Sequence, residues 1–240
     1  MHIFYNNFRY HRGNGDMKLA IVRLGRMAYP EALDIQEKLL ARRQAGLIGD
    51  ALLLTEHPPV LTIGRRGSEA NIRVSREWLA AQGVSVYPVS RGGDITYHGP
   101  GQIVGYPIMD LKERGRDIKV FVSNVKEVFI RLMREEYGIE ASGGEREYTG
   151  VWVGDEKIAA IGIAVKRWVT MHGAAFNVNT DLSHFKWIVP CGLSDRGVTS
   201  LEKLLGAPQD FDALNEMVAR YFCEVFGMEP AWTALASLLG

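Results

Sequence analysis

GVWVGDEKIAAIGIAVKRWVTMHGAAFNV, residues 150–178, decides the fold. It reads as three short strands at 150–153, 157–165 and 170–178, and Gly154-Asp155-Glu156 between the first two is a hairpin signal. Upstream, residues 19–23 form a strand. Residues 29–45 repeat apolar side chains (Ala32, Ile35, Leu39, Leu40) at helical spacing. Strands at 51–55 and 60–63 bracket His57-Pro58-Pro59, where the prolines forbid helix. A short helix at 75–82 ends at Gly83, and a strand follows at 84–89. After the densest glycine cluster, 91–105, a long helix at 120–137 stops at Gly138. A helix at 210–226 is the last element expected. Strands and helices in mixed order, with adjacent hairpins, indicate an α+β domain on a mixed or antiparallel sheet. No G-x-G-x-x-G or Walker loop is present, which argues against dinucleotide and P-loop chemistry.

With 240 residues and no repeat or linker tract, one domain over 17–240 is expected. Residues 1–16 are polar, aromatic and basic, and precede a second methionine, Met17. They read as a loose extension or a misplaced start. Twenty-eight basic residues balance twenty-eight acidic ones, so non-specific nucleic-acid binding is not expected. The apolar runs fall far short of the roughly 20 residues that span a bilayer, and no export signal opens the chain, so no membrane partner is expected. Two cysteines, Cys191 and Cys223, give no disulfide framework, and the histidines show no metal-ligand spacing. A reducing cytoplasm fits, and no metal is expected.

Four glycines fall within residues 91–101, interleaved with Arg91, Asp94, Thr96, Tyr97 and His98, and Gln102 follows. Glycine at this density serves close backbone approach, so the segment is either a tight turn or the lining of a polar ligand site. Cys191 lies between Pro190 and Gly192, where a turn can present a thiol. A lone cysteine is as a rule a small buried hydrophobe. Cys223, on the apolar stripe of the last helix, is assigned to packing. Lys157 opens a strand whose small residues, Ala159, Ala160 and Gly162, suggest that something passes close by. His172-Gly173-Ala174-Ala175 repeats that theme. His2, His11, His57 and His184 are read as structural.

Together the segments RGGDITYHGPGQ (91–102), TGVWVGDEKIAAIG (149–162), MHG (171–173), VPCGL (189–193) and GVTSL (197–201) resemble the lipoyl(octanoyl) transferases of lipoate biosynthesis. The resemblance runs from about residue 24 to 204. It implies the fold of biotin and lipoate protein ligases. It also implies octanoyl transfer from acyl carrier protein to a lysine on lipoyl domains of 2-oxoacid dehydrogenases and the glycine cleavage H protein. Cys191 then occupies the nucleophile position and Lys157 that of its partner. Arg91, Gly92, Gly93, Asp94, Ile95, Thr96, Tyr97, His98, Ala160, Ile161, Gly162, Gly173, Ala174 and Ala175 line the substrate site. Two positions depart from the family's habit. Ala164 stands where arginine is common, and Ala174 where a bulkier apolar residue is common, which widens the groove for the acyl chain.

An ammonium at Lys157 beside Cys191 favours the thiolate, which at an ordinary pKa near 8.5 is only a few per cent populated at neutral pH. Exchange of one thioester for another, then of thioester for amide, runs without ATP or metal, so no cofactor is expected. Backbone N–H groups around Gly192 are candidate oxyanion donors. Lys157, His98 or His172 could take the acceptor lysine's proton. Acidic carriers would dock on Arg65, Arg66, Lys166 and Arg167. Three rivals remain: an ATP-dependent lipoate or biotin ligase, an amidotransferase between lipoyl domains, and a non-catalytic binder of acylated carriers.

Overall fold

The computed structural model describes residues 17–145, 148–189 and 196–240. Within these, nine strands form one mixed sheet and three form a second. In the first, the order is β12 (Glu229–Trp232), β1 (Lys18–Arg26), β2 (Ala51–Glu56), β6 (Gln102–Ile108), β10 (Val169–Asn177), β9 (Glu156–Lys166), β8 (Gly150–Val153) and β7 (Ser142–Gly144); β11 (Gly197–Val198) runs parallel to β9. The second has the order β4 (Ser85–Pro88), β3 (Val60–Ile63), β5 (Ile95–His98). The α+β class holds, with this additional small sheet.

β2 shows why its sequence is apolar throughout. Leu52 and Leu54 face one core with Leu19, Ile21 and Phe176, while Ala51 and Leu53 face another with Val22, Val104 and Met171. Successive side chains leave opposite faces, so a strand covered on both sides has no polar alternation. Helix α1 (Tyr29–Gln44) covers the second face through Ala32, Ile35 and Leu39. Helices α3 (Ile118–Tyr137) and α5 (Phe211–Phe226) cover the first. A third cluster, with Leu61, Ile63, Ile95 and Tyr97, joins the small sheet to α2 (Arg76–Ala81) through Leu79.

The chain leaves the large sheet at His57-Pro58-Pro59, the expected turn, and returns through Gly99-Pro100-Gly101, so both stretches are crossings between sheets. Gly101 sits at φ +79°, and a side chain there would run into the Asn179 carbonyl. Its own carbonyl accepts from the backbone N–H groups of Val178 and Asn179 and from the Thr180 hydroxyl. Cavity-lining segments from both sheets meet at this junction.

Several expectations are corrected. The helix at 211–226 is not the last element: β12 and α6 (Leu235–Leu239) follow, with β12 pairing parallel to β1. Strands β5 and β6 occupy much of what reads as a glycine loop. The short helix α4 (Leu201–Leu205), capped by Ser200, was also missed. Residues 1–16 lie outside the described residues. Among those described, no helix is long and apolar enough to cross a membrane.

One buried ionic knot ties α1 to the start of β2 and the turn at Leu111–Arg114. Asp50 accepts from Arg43 Nε at 2.8 Å, Arg114 Nη2 at 2.9 Å and the Asp110 backbone N–H at 3.0 Å. Asp50→Ala removes the carboxylate that both guanidiniums share. A cost of about 3–5 kcal/mol is expected, which lowers the melting temperature by roughly 10 °C. Thermal denaturation checks this, and a change under 2 °C would show the knot to be dispensable.

Candidate active site

At the junction lies a cavity of about 280 Å³. Arg91, Gly92, Gly93, Asp94, Ile95, Thr96 and His98 line it from the small-sheet side. Lys157, Ala160, Ile161, Gly162, Gly173, Ala174 and Ala175 line it from β9 and β10. Tyr97 does not: β5 alternates, and its ring points into the third core cluster, where its hydroxyl lies 2.7 Å from His184 Nδ1. Cys191, with Gly192, lies outside the described residues.

The glycine segment is held to both sheets. Gly64, Arg65 and Arg66 donate backbone N–H groups to the carbonyls of Asp94, Arg91 and Gly93, and Gly92 donates to Ile163 of β9. Asp94 organises the loop, accepting from Asn71 Nδ2 and from the Ile95 N–H, both at 2.7 Å. Arg91 is buried and donates to Thr62 Oγ1 and to the Thr62 and Gly92 carbonyls. This explains Gly162, where an added Cβ would stand 2.8 Å from the Gly92 carbonyl and 3.0 Å from Arg91 Cδ. What passes close to β9 at Gly162 is therefore the protein's own glycine segment. Gly173 likewise leaves room for the Gly105 carbonyl of the neighbouring strand. Ala160, Ala174 and Ala175 remain as the small apolar lining. Ala164 belongs to the core facing α1 and lies away from the lining.

Lys157 begins the long part of β9, paired with Trp152 and Val198. Its Nζ lies 4.8 Å from the centre of the Trp152 ring, and Arg196 Cζ lies 5.2 Å from the same ring. Trp152 is fixed in turn by its Nε1–H bond to the Tyr148 carbonyl at 2.8 Å. Two cations thus share one indole at this end of the cavity, Arg196 being paired as well with Asp155 at 3.7 Å. A side chain at Gly150 would meet the Lys157 stem at 3.2 Å, so that glycine clears the lysine's path.

The histidines divide by environment. Burial, then the neighbouring His57, pushes His98 down to about 3. Burial, then Arg91, Lys166 and Arg65, pushes His172 down to about 4. Both shifts favour neutral rings at physiological pH. His172 also takes φ +56°, with its backbone N–H donating to Gln36 Oε1 at 2.8 Å. His57 is structural, lying 2.7 Å from the Met27 carbonyl and 2.8 Å from Tyr106 Oη. Cys223 is buried in the core, its thiol pushed up to about 12 by desolvation. Sequence reasoning missed Tyr29, Tyr106, Trp152, Asn177 and Arg196 as lining residues. Only Trp152, two residues before a hairpin that leads to Lys157, carried a local signal. Among the described residues, no three His, Cys, Asp or Glu side chains group as a metal ion would need.

The site is thus a lysine-bearing, glycine-walled cavity set between two sheets of an α+β frame. A lipoate protein ligase from Thermoplasma acidophilum superposes with a TM-score of 0.71 at 17% identity, covering 93% of this chain and 91% of that one. An octanoyltransferase of Caldicellulosiruptor saccharolyticus is 62% identical over 88% of this chain and 90% of the relative. One from Desulforamulus reducens is 55% identical over 89% and 93%. The lipoyl protein ligase A/B catalytic domain family matches residues 28–223, and the chain belongs to that family. It is an acyltransferase.

Proposed function

We propose that the enzyme moves an octanoyl group from octanoyl-acyl carrier protein, through a thioester on Cys191, to a lysine of lipoyl domains in lipoate biosynthesis. The observation that carries this is Lys157, set on Trp152 in the same cavity as the glycine segment and small-residue strands. The naming of close relatives as octanoyltransferases supports it. So does the anchoring of the chain on either side of residues 190–195. Val189 N–H bonds to the Asn71 carbonyl on one side, and β11 pairs beside Lys157 on the other.

The Cys191 thiolate attacks the carrier thioester, and the carrier thiolate leaves, taking a proton from the Lys157 ammonium. The now neutral Lys157 accepts a proton from the incoming lysine ammonium. That amine then attacks the acyl-cysteine; the C–S bond breaks as the amide forms, the nitrogen's second proton passes to solvent, and the Cys191 thiolate is regenerated. The octanoyl chain lies along Ala160 and Ala175, which pair across β9 and β10, and gains on the order of 5 kcal/mol from burial. No ATP or metal enters, and a reducing cytoplasm keeps the thiol free. Acidic carriers dock on the exposed Arg65, Arg66, Lys166 and Arg167; Arg66 also lines the cavity.

Intact-mass measurement after mixing with octanoyl-acyl carrier protein, without ATP, tests this. One octanoyl adduct that an apo lipoyl domain discharges is the expected result. No adduct, with lipoyl-domain acylation appearing only with ATP and free octanoate, would replace the transferase with a ligase.

A further inference from the structure

Beyond the lysine, the cavity wall carries a hydrogen-bonded chain whose direction is set at its far end. The Thr199 backbone carbonyl only accepts, and Asn177 Nδ2 donates to it at 3.0 Å. Asn177 Oδ1 is thereby turned to Gln102, whose Nε2 donates to it at 2.9 Å and to the Tyr97 carbonyl at 3.3 Å. Gln102 Oε1 is left facing His98 Nδ1 at 2.7 Å, so Nδ1 carries the hydrogen. Nε2 is then the bare nitrogen, on a ring that lines the cavity. All three side chains are buried, so water does not loosen the order.

A second chain ends the same way. The Met27 carbonyl fixes the hydrogen on His57 Nδ1, so His57 Nε2 receives the Tyr106 O–H and the Tyr106 oxygen keeps its lone pairs. Tyr106 lines the same cavity.

We propose that His98 Nε2, with the Tyr106 hydroxyl oxygen, accepts a hydrogen bond from a substrate N–H group, and that Gln102 and Asn177 are positioning residues that hold this tautomer. The proposal rests on the transfer reaction above, which offers two N–H sources: the acceptor lysine's amine and the amides of the carrier's thiol arm. An amine donating N–H to Nε2 has its own lone pair turned away from the ring and open for attack. No proton changes hands in this contact, in keeping with a ring neutral throughout the working pH range.

Two measurements test it. In ¹⁵N-histidine NMR of the whole enzyme, His98 is expected to show Nδ1 protonated and Nε2 bare from pH 5.5 to 8.5. Gln102→Leu should release that preference. A wild-type ring protonated at Nε2, or titrating within this range, overturns the proposal. In quench-flow, His98→Phe should slow one half-reaction by about tenfold or more. His98→Gln, which keeps an oxygen near the Nε2 position, should retain most of the rate. Slowed amide formation identifies the lysine amine as the donor, and slowed donor consumption identifies the thiol arm. Unchanged rates in folded His98→Phe, or equal losses in both half-reactions with both variants, reject the role. A wild-type chain that transfers no octanoyl group defeats the transfer reaction itself, while the NMR still decides the tautomer.

Discussion

Lys157→Met lowers octanoyl transfer at pH 7 by about 10³-fold, while Lys157→Arg restores only the first half of the reaction. Methionine keeps an unbranched apolar stem against Trp152, so the site folds, and what is lost is the ammonium 4.8 Å from the ring. Two effects then add. On the proposed mechanism, loss of the cation leaves the Cys191 thiol without the charge that favours its thiolate, and a thiol at the ordinary pKa near 8.5 is only a few per cent ionised at pH 7. The proposed proton donor to the departing carrier thiol, and the proposed acceptor for the incoming ammonium, would also vanish, an effect usually worth 10²–10⁴-fold. Only the first loss depends on thiol ionisation, so donor consumption by the methionine variant should recover in part as pH rises to about 9. Arginine supplies the charge but does not release a proton in proteins, so it should support thiolate formation, let the carrier depart as a thiolate that solvent protonates, and stall before the amide. Stopped assays of carrier consumption and octanoyl-lysine formation across pH separate these. Equal recovery of both steps with arginine would make Lys157 a purely electrostatic partner.

How far the sequence discloses this site depends on how local each cause is. The β8–β9 hairpin was legible because Gly154 supplies the positive φ its turn requires. The next hairpin closes over Arg167 and Trp168 at φ +50° and +70°, residues that carry no turn signal. It is held by tertiary bonds, including the Leu111 N–H to the Trp168 carbonyl and the pairing of Asp110 with Val169. The glycine segment announced close approach, but what approaches was hidden: Gly162 makes room for Arg91 and the Gly92 carbonyl, residues about 70 positions away. β12 was missed because its four residues include proline and alternate weakly, and its pairing to β1 spans most of the chain. The histidine tautomers follow from backbone carbonyls at Met27 and Thr199 that only the fold brings near. Cys223, by contrast, was assignable to packing from the helical apolar stripe alone, and the core holds it, whereas Cys191, set between Pro190 and Gly192 in the sequence, lies outside the described residues.

The two cysteines give the second large effect. A thiol held near 12, as Cys223 is, carries a thiolate fraction of only about 1 in 10⁴–10⁵ at pH 7.5. It lies in the core with Phe222 and Phe226, where no carrier-bound thioester reaches it. All acyl capture is therefore expected at Cys191, one octanoyl group per chain. Cys191→Ser should abolish the trapped thioester and reduce transfer by about 10³-fold or more, because a serine hydroxyl does not ionise near neutrality and the role proposed for Lys157 is to stabilise an anion rather than to create one. Cys223→Ala should leave the adduct and the transfer rate as they are, at a modest cost in stability for the lost sulfur. Peptide mapping of the octanoylated enzyme and of both variants decides the matter. An adduct that survives Cys191→Ser but disappears with Cys223→Ala would reverse the assignment, and would require α5 to open during the reaction.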